Sequence, residues 1–501
     1  MKRIILSVFV CCLAMMATAQ VSRPKLVVGL VIDQMRWDYM YYYYDKYGEG
    51  GMKRLMAEGF SCDNQMLNYV PTITGVGHSS IYTGAVPAAS GIAGNDFYLD
   101  GKRVYCTDDP TVTGVGTSSK AGCMSPRNMV GTTIGDMLRA ATDFKSRVIG
   151  VALKDRASIL PAVHAANAAY WYDKSAAGFI TSSYYMDKLP DWVNKFNRQA
   201  GMKKGYDPKV HADGVTLTFR MAEAAIRNEQ LGKGDATDML CVSISSTDAI
   251  SHQTGTWFSK GKENEEVFLT LDRDMKAFFD FLDAQVGKDG YLLFLTADHG
   301  GSHNPNTLNE HKLPGGGVDF GEVKRTLNEQ LKGEFGTDIQ YVKDIIGEGI
   351  YLDHKAIADA KLCLGKVTDA VVRLLKADTR FQFVTAYEKA GTSAIPQWIR
   401  ERIINGYYQG RSGDIIAMTK VNYFDWGIGP DFYGSSHGTW TPADTHIPLV
   451  FMGWNIKPGH TTRKTHMDDT APTVCSLLHI QMPDACTGNP ITELTDADAA
   501  K

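Results

Sequence analysis

Carboxylate and imidazole side chains stand close together at two places in the sequence. Asp248 and His252 are four residues apart in "DAISH", so a helical turn would place both side chains on one face. Asp298 and His299 are adjacent near the end of "FLTADHG". Either pair alone is weak evidence, because an acid and a histidine come together by chance in many chains.

Two further residues, Asp33 and His437, extend these pairs to six side chains. Six such groups suffice for two metal sites, and mixed Asp/His ligation suits Zn²⁺, whereas oxygen-only ligation would suit Mg²⁺ or Ca²⁺. Other histidines compete for the same role, and His303 and His311 follow closest after the Asp-His pair.

A hydroxyl group stands in a stretch that otherwise reads as buried, residues 68 to 96, "NYVPTITGVGHSSIYTGAVPAASGIAGND". Thr74 begins a glycine-rich turn that leads into a predicted helix. The amides and the dipole at such a helix start favour an incoming anion such as phosphate. The alternative role of Thr74 is that of an N-cap, which is compatible with catalysis.

Continuous β-branched runs predict the strands that position these groups. They occupy residues 25–33, 146–156, 238–248, 290–300 and 445–453, with helical stretches such as 215–230 and 264–286 between them. This alternation predicts an α/β fold with a doubly wound, mostly parallel central sheet and helices on both faces. Four of the five runs end in acids, bases or histidines, which predicts a site at the carboxyl edge of the sheet.

Residues 312–425 lack the apolar strand pattern and carry their own helices and short strands. We interpret them as an α+β subdomain inserted into one catalytic domain, because the pattern of chemical groups resumes after them at "SSHGTW". A chain of 501 residues is long enough for this arrangement.

Residues 1–19 match a secretory leader, with Lys2 and Arg3 before an apolar run and a small-x-small ending at Ala19. The apolar run is shorter than the roughly 20 residues that a membrane span needs. Removing the leader takes away two positive charges and changes the net charge from −4 to −6. We therefore expect a periplasmic or secreted protein that binds no nucleic acid and has no stable membrane insertion.

Seven of the nine cysteines remain after the leader is removed. Export permits disulfides, and an odd number leaves at least one thiol free. The predicted pairs are Cys106 with Cys123 and Cys475 with Cys486, while Cys241 in an apolar strand is predicted to stay free.

Six motifs resemble the alkaline phosphatase superfamily. They occur in that family's order between about Lys25 and about Thr492: "VIDQMRWD", "PTITGVGHSSIYTGAVPAASGIAGN", "LKDR", "SSTDAISH", "TADHGG" and "SSHGTW". The resemblance is to its type I phosphodiesterase/nucleotide pyrophosphatase-like branch, which contains phosphate-irrepressible periplasmic alkaline phosphatases with a threonine nucleophile.

The resemblance implies a role for each matching residue. Thr74 would be the nucleophile, passing through a phosphothreonine. Two zinc ions per chain would be bound, one by Asp33, Asp298, His299 and Thr74, the other by Asp248, His252 and His437. Asn95, Lys154 and Arg156 would bind the phosphoryl group of small phosphate monoesters.

The spacing of Lys154 and Arg156 also favours phosphate binding. Strand alternation in "LKDR" predicts that both point to one side and Asp155 to the other. Arg can bind phosphate through two hydrogen bonds, and Lys adds a point charge.

Two other functions stay open at this point. One is phosphodiesterase or nucleotide pyrophosphatase activity on the same scaffold. The other is a protein that binds phosphate without hydrolysing it, against which stands the presence of all six ligand types and the hydroxyl.

Overall fold

The computed structural model describes residues 22–259, 261–425, 429 and 431–495. The predicted leader, residues 1–19, lies outside them. The strands of four residues or more are β1 (Leu26–Ile32), β2 (Asp96–Leu99), β3 (Lys102–Tyr105), β4 (Val148–Ala152), β5 (Ala168–Asp173), β6 (Gly178–Ser182), β7 (Asp238–Ile244), β8 (Tyr291–Thr296), β9 (Val342–Ile346), β10 (Gly349–Leu352), β11 (Phe381–Ala386), β12 (Ile415–Thr419) and β13 (Leu449–Gly453).

The helices of eight residues or more are α1 (Thr74–Thr83), α2 (Ile134–Ala141), α3 (Asp155–Ala162), α4 (Asp191–Ala200), α5 (Asp213–Asn228), α6 (Ser246–Thr254), α7 (Glu263–Val286), α8 (Phe320–Phe335), α9 (Leu364–Ala377), α10 (Gln397–Gly406) and α11 (Thr470–Leu477). Among the described helices, none combines the length and the apolar character needed to cross a bilayer.

A ten-stranded mixed sheet forms the centre of the molecule. Its order is Gly459–Thr461, Phe60–Cys62, β13, β8, β1, β7, β4, β5, β6 and Gly114–Val115. The five strands from β8 to β5 are parallel. This confirms the predicted α/β class and the first four predicted strands. The prediction of a fifth parallel strand at residues 445–453 is wrong, because β13 pairs antiparallel with β8.

Two layers of helices cover the sheet. Helices α1, α2, α3 and α11 pack together in one layer, and α4, α5, α6 and α7 pack together in the other. A row of small side chains runs across the first side, where Gly29, Cys241 and Gly150 are aligned in register. A Cβ atom on Gly29 would lie 2.3 Å from the hydroxyl of Tyr82 in α1. Small residues in this row therefore let α1 and α3 lie close to the strands.

The carboxyl ends of the parallel strands meet at one edge of the sheet. Asp33 directly follows β1, Asp298 follows β8, and Lys154 follows β4. Asp248 lies in α6, which begins two residues after β7. The sheet thus brings together groups that are up to 265 residues apart in sequence.

The insertion, residues 312–425, contributes no strand to the central sheet among its described residues. It contains a separate four-stranded sheet in the order β9, β10, β12, β11. Its buried apolar side chains form their own cluster, from Val318 to Ala417. A smaller cluster that includes Val70, Ile416 and Trp440 joins the insertion to the rest of the described chain.

The cysteines differ from the sequence-based prediction. All seven between residues 22 and 495 are free thiols, so neither predicted disulfide is formed. The Cys106 thiol faces the start of α1, where a Cβ on Gly75 would lie 3.2 Å from it. Cys486 Sγ instead contacts the carbonyl of Gly488 at 3.8 Å. Cys241 is buried and free, as predicted.

Candidate active site

Thr74 is the first residue of α1, and its side chain points into the site. The residue is only 1% exposed, and its Oγ1 lies 3.4 Å from Nε2 of His299. The N-cap position belongs to Ile73, and no side chain caps the helix. The hydroxyl of Thr74 is therefore free of a capping role.

Three buried carboxylates surround this hydroxyl group. Asp33, Asp248 and Asp298 are at most 4% exposed. One oxygen of each carboxylate, Oδ1 of Asp33 and Asp248 and Oδ2 of Asp298, has no hydrogen-bond partner among the described residues. Burying charged oxygens without a partner is costly, so such oxygens are suited to bind a cation.

Three histidines present the same nitrogen to these carboxylates. Nδ1 of His252 donates to the carbonyl of Ser435 at 2.9 Å, Nδ1 of His299 to Gly300 at 2.8 Å, and Nδ1 of His437 to Thr72 at 2.9 Å. A carbonyl can only accept, so Nδ1 carries the proton and a neutral ring keeps a lone pair on Nε2. This is how proteins orient metal-binding imidazoles.

These atoms form two groups that fit metal ions. One group contains Asp33, Asp298 and His299, and the other contains Asp248, His299 and His437, with all ligand atoms of a group within 4.8 Å of one another. His252 adjoins the second group, with Nε2 3.1 Å from Oδ1 of Asp248. Carboxylate oxygens and imidazole nitrogens together are a donor set typical of zinc.

Two of the buried carboxylates have pKa values that are shifted in opposite directions. Burial, followed by the Asp248 and Asp298 charges, raises the pKa of Asp33 to about 8. Burial would also raise the pKa of Asp298, but His299 and His78 outweigh it and hold that pKa below its usual value. The pKa of His437 is well below its usual value because of burial and the neighbouring histidines, so this ring is neutral.

Lys154 lies within the carboxylate cluster. Its Nζ donates to Oδ2 of Asp33 and to Oδ2 of Asp248, both at 2.6 Å, and the residue is buried. Burial opposes its charge, but the two carboxylates outweigh burial and raise the pKa of Lys154. Its ammonium group is therefore charged and lies next to the candidate metal ligands.

Arg156 lies in a helix rather than in the predicted strand. Strand β4 ends at Ala152 and α3 begins at Asp155, so the predicted strand alternation of Lys154 and Arg156 is wrong. The guanidinium of Arg156 donates to the hydroxyl of Tyr105 at 2.9 Å. Even so, Lys154 and Arg156 line one cavity of about 250 Å³.

Asn95 contacts the start of α1. Its Oδ1 accepts a hydrogen bond from the amide of Gly75 at 2.8 Å. This amide is thus already paired, and the Nδ2 group of Asn95 keeps its donors. The position directly beside Thr74 is the one that a phosphoryl-binding donor would need.

One contact residue was missed by the sequence analysis. His78 is buried, and its Nδ1 lies 2.9 Å from the carbonyl of Thr74 and 3.2 Å from Oδ2 of Asp298. The signal was available, since His78 is four residues after Thr74 on a predicted helix. The competing residues His303 and His311 belong to neither group; His303 contacts Arg36 and Thr256, and His311 contacts the carbonyl of Thr307.

Gly77 lets α1 approach the strand end that carries Asp298. A Cβ on Gly77 would lie 2.2 Å from the carbonyl oxygen of Asp298, and backbone cannot move aside as a side chain can. We expect Gly77→Ala to lower the free energy of unfolding by about 2 kcal/mol or more, measured by urea denaturation.

Gly333→Ala in α8 is the matched control. No atom of a described residue lies within 4 Å of its Cβ position, so the change should stabilise the protein by up to about 1 kcal/mol through helix propensity. Equal free energies of unfolding of the Gly77→Ala and Gly333→Ala variants would contradict the close approach of α1 to the backbone of Asp298.

Comparisons with known proteins show which sequences and structures this chain resembles. The family model described as "Type I phosphodiesterase / nucleotide pyrophosphatase" matches residues 27–433. A protein of Myroides odoratus named "Calcium-transporting ATPase" is 43% identical, with 96% of this chain and 97% of that protein covered.

Two further relatives carry phosphatase names. "Alkaline phosphatase PafA" of Elizabethkingia meningoseptica is 43% identical, with 95% of each chain covered. Its crystal structure has a TM-score of 0.90 and covers 95% of this chain and 99% of the solved one. "Alkaline phosphatase PhoV" of Synechococcus elongatus is 42% identical, with 95% of this chain and 93% of that protein covered.

Proposed function

The chain belongs to the type I phosphodiesterase/nucleotide pyrophosphatase family, and we propose that it is an alkaline phosphatase that hydrolyses phosphate monoesters. One observation carries the proposal. The hydroxyl of Thr74 lies at a helix start beside two groups of buried carboxylates and imidazoles, and one oxygen of each carboxylate has no hydrogen-bond partner among the described residues. Relatives with 42–43% identity that are named alkaline phosphatases support the same activity.

We propose that two zinc ions are the partners of these groups. Asp33, Asp298, His299 and Thr74 would hold one ion, and Asp248, His252 and His437 would hold the other. When bound, the ions supply positive charge that favours ionisation of a hydroxyl group and neutralises a leaving oxygen. The hydrogen bonds from Nδ1 of His252, His299 and His437 support this assignment, because each leaves the lone pair of a neutral ring on Nε2, directed toward the cluster.

The chain's own residues account for the rest of the proposed reaction. Thr74 Oγ1 gives its proton to water and forms a bond to phosphorus while the bond from phosphorus to the alcohol oxygen breaks, and the alcohol oxygen takes up a proton from water as it leaves. Water then cleaves the phosphothreonine, which restores the hydroxyl and releases phosphate. Two successive in-line displacements retain the configuration at phosphorus.

Asn95, Lys154 and Arg156 would hold the phosphoryl oxygens. A monoester carries two negative charges and no second substituent, so its free oxygens suit a cationic clamp. A diester has one charge less and an added group. The alternative activity, hydrolysis of diesters or nucleotide pyrophosphates, therefore makes a different prediction for the same residues.

We expect Lys154→Ala and Arg156→Ala each to lower kcat/KM for an aryl phosphate monoester about tenfold to hundredfold, because each removes a charged hydrogen bond. The matched aryl diester should lose less. Metal content is measured in parallel, since Lys154 contacts two candidate ligands.

The exposed Lys102 provides the control, and Lys102→Ala should leave kcat/KM unchanged for both substrates. A wild-type preference for the diester, or equal losses on both substrates, would replace the monoesterase assignment with the diesterase one.

We further propose that the protein is exported after removal of residues 1–19 and that residues 312–425 act as an accessory subdomain. The separate sheet and apolar cluster of the insertion support the second proposal. Small-molecule phosphate monoesters, rather than nucleic acid, would be its ligands, in keeping with its acidic composition.

A further inference from the structure

A second cavity lies between the candidate active site and the insertion. We call it the insertion cavity. Its volume is about 270 Å³, and its lining includes Asn95 and His437 from the site and Glu348, Tyr351 and Tyr387 from the insertion. Because it shares two residues with the site, an occupant would adjoin the phosphoryl group. The size is near the lower end of ligand cavities, about 300 Å³ and upward, so the occupant is small.

The charged residues of this lining are of one sign. Asp96, Glu348 and Asp425 contribute carboxylates, and none of the described lining residues is a lysine or an arginine. Asp96 has a partner in Arg103, at 3.6 Å on the surface. The cavity around Lys154 and Arg156 differs, since lysines and an arginine line it together with acids.

Glu348 has unused hydrogen-bonding capacity. Its Oε1 accepts from the amide of Thr419 at 2.7 Å and from the hydroxyl of Thr419 at 2.9 Å. Its Oε2 is buried and has no hydrogen-bond partner among the described residues, and the residue is 8% exposed. Burial, which these hydrogen bonds offset only in part, raises the pKa of Glu348 to about 8. A cation in the cavity would stabilise the ionised carboxylate.

Aromatic rings complete the lining. The hydroxyl of Tyr351 donates to the carbonyl of Arg411 at 2.9 Å, which fixes that side chain. The ring of Tyr387 stacks on Tyr407, with the ring centroids 4.8 Å apart. Carboxylates combined with aromatic rings are the chemistry that binds ammonium groups.

We propose that the insertion cavity binds the alcohol portion of a phosphate monoester and selects alcohols that carry a protonated or quaternary ammonium group. This inference rests on the proposed monoesterase activity and adds its substrate class. The phosphoryl group would lie at Thr74 and Asn95. The ammonium group would lie near Glu348, where its charge is matched.

The test compares two monoesters of the same shape, choline phosphate and 3,3-dimethylbutyl phosphate, in which carbon replaces the charged nitrogen. We expect wild-type kcat/KM to be about tenfold or more higher for the cationic ester. Glu348→Gln and Asp425→Asn should each reduce this ratio. Glu329→Gln, the same change of charge on the exposed face of α8, should leave the ratio at its wild-type value.

Phenyl phosphate separates failure of this inference from failure of the proposed function. If phenyl phosphate is hydrolysed but the wild-type ratio of kcat/KM for choline phosphate to that for 3,3-dimethylbutyl phosphate is near one, the insertion-cavity proposal alone is overturned. The same holds if phenyl phosphate is hydrolysed and neither alkyl ester is. If the ratio of kcat/KM for the cationic ester to that for the neutral ester is unchanged in both Glu348→Gln and Asp425→Asn, the assignment of these residues to ammonium binding is wrong. If none of the three monoesters is hydrolysed by zinc-loaded protein, the monoesterase assignment itself is wrong.

Discussion

Replacing Thr74 with alanine should lower kcat for a phosphate monoester about a thousandfold or more, because the reaction loses its nucleophile. Among the described residues, the one polar contact of the Thr74 hydroxyl is with Nε2 of His299 at 3.4 Å, so folding should change little. Metal content and inhibition by inorganic phosphate should remain. The measurement is steady-state hydrolysis, together with titration of metal and phosphate. Thr74→Ser keeps a hydroxyl group and should retain more activity than the alanine variant.

Thr83→Ala is the control for this experiment. Thr83 is buried at the other end of α1, where its hydroxyl donates to the carbonyl of Ser79 at 2.7 Å. Its removal should cost about 1 kcal/mol of stability and leave kcat within a few-fold. A labelled phosphopeptide that does not contain Thr74, or near-normal turnover of the Thr74→Ala variant, would refute the nucleophile assignment.

Removing metal with a chelator should abolish hydrolysis, and added Zn²⁺ should restore it with two ions per chain. The physical reason is the set of buried carboxylate oxygens without partners on Asp33, Asp248 and Asp298. Binding to the folded state alone also stabilises it, by about 4 kcal/mol at a free zinc concentration of a thousand times Kd. Thermal unfolding and elemental analysis therefore give readouts that do not depend on turnover.

Asp248→Asn should lower the zinc content toward one ion per chain, because Asp248 belongs to only one of the two groups. Asp272→Asn is the control, since Asp272 is a buried carboxylate that accepts from the amides of Gly48 and Met52 instead. Its zinc content should stay at two. Full activity in stringently metal-free protein would show that the cluster has another purpose.

Both predictions depend on the same spatial feature, the meeting of α1 with the ends of three parallel strands. Thr74 brings the hydroxyl group to this point, Asp33 follows β1 directly, and Asp298 is the second residue after β8. Gly77 allows the close approach, since any larger residue would contact the backbone of Asp298. Stability and catalysis are thus coupled through the packing of one helix.

The sequence by itself determined four of the five parallel strands and the groups at their ends, whereas it did not predict β5. β-branched runs predicted β1, β4, β7 and β8, because a strand buried on both faces needs apolar side chains throughout. The spacing in "DAISH" placed Asp248 and His252 on one face of α6, and the structure shows them 3.1 Å apart. Local periodicity contains this information, since it depends only on the geometry of one element.

Only the tertiary structure decided how these groups are oriented and what lies beside them. His437 is held by the carbonyl of Thr72 and His252 by that of Ser435, across 365 and 183 residues of chain. The antiparallel direction of β13 and the insertion cavity around Glu348 also depend on packing between distant segments. Such contacts follow from which elements pack together, and residue spacing within a single element carries no record of them.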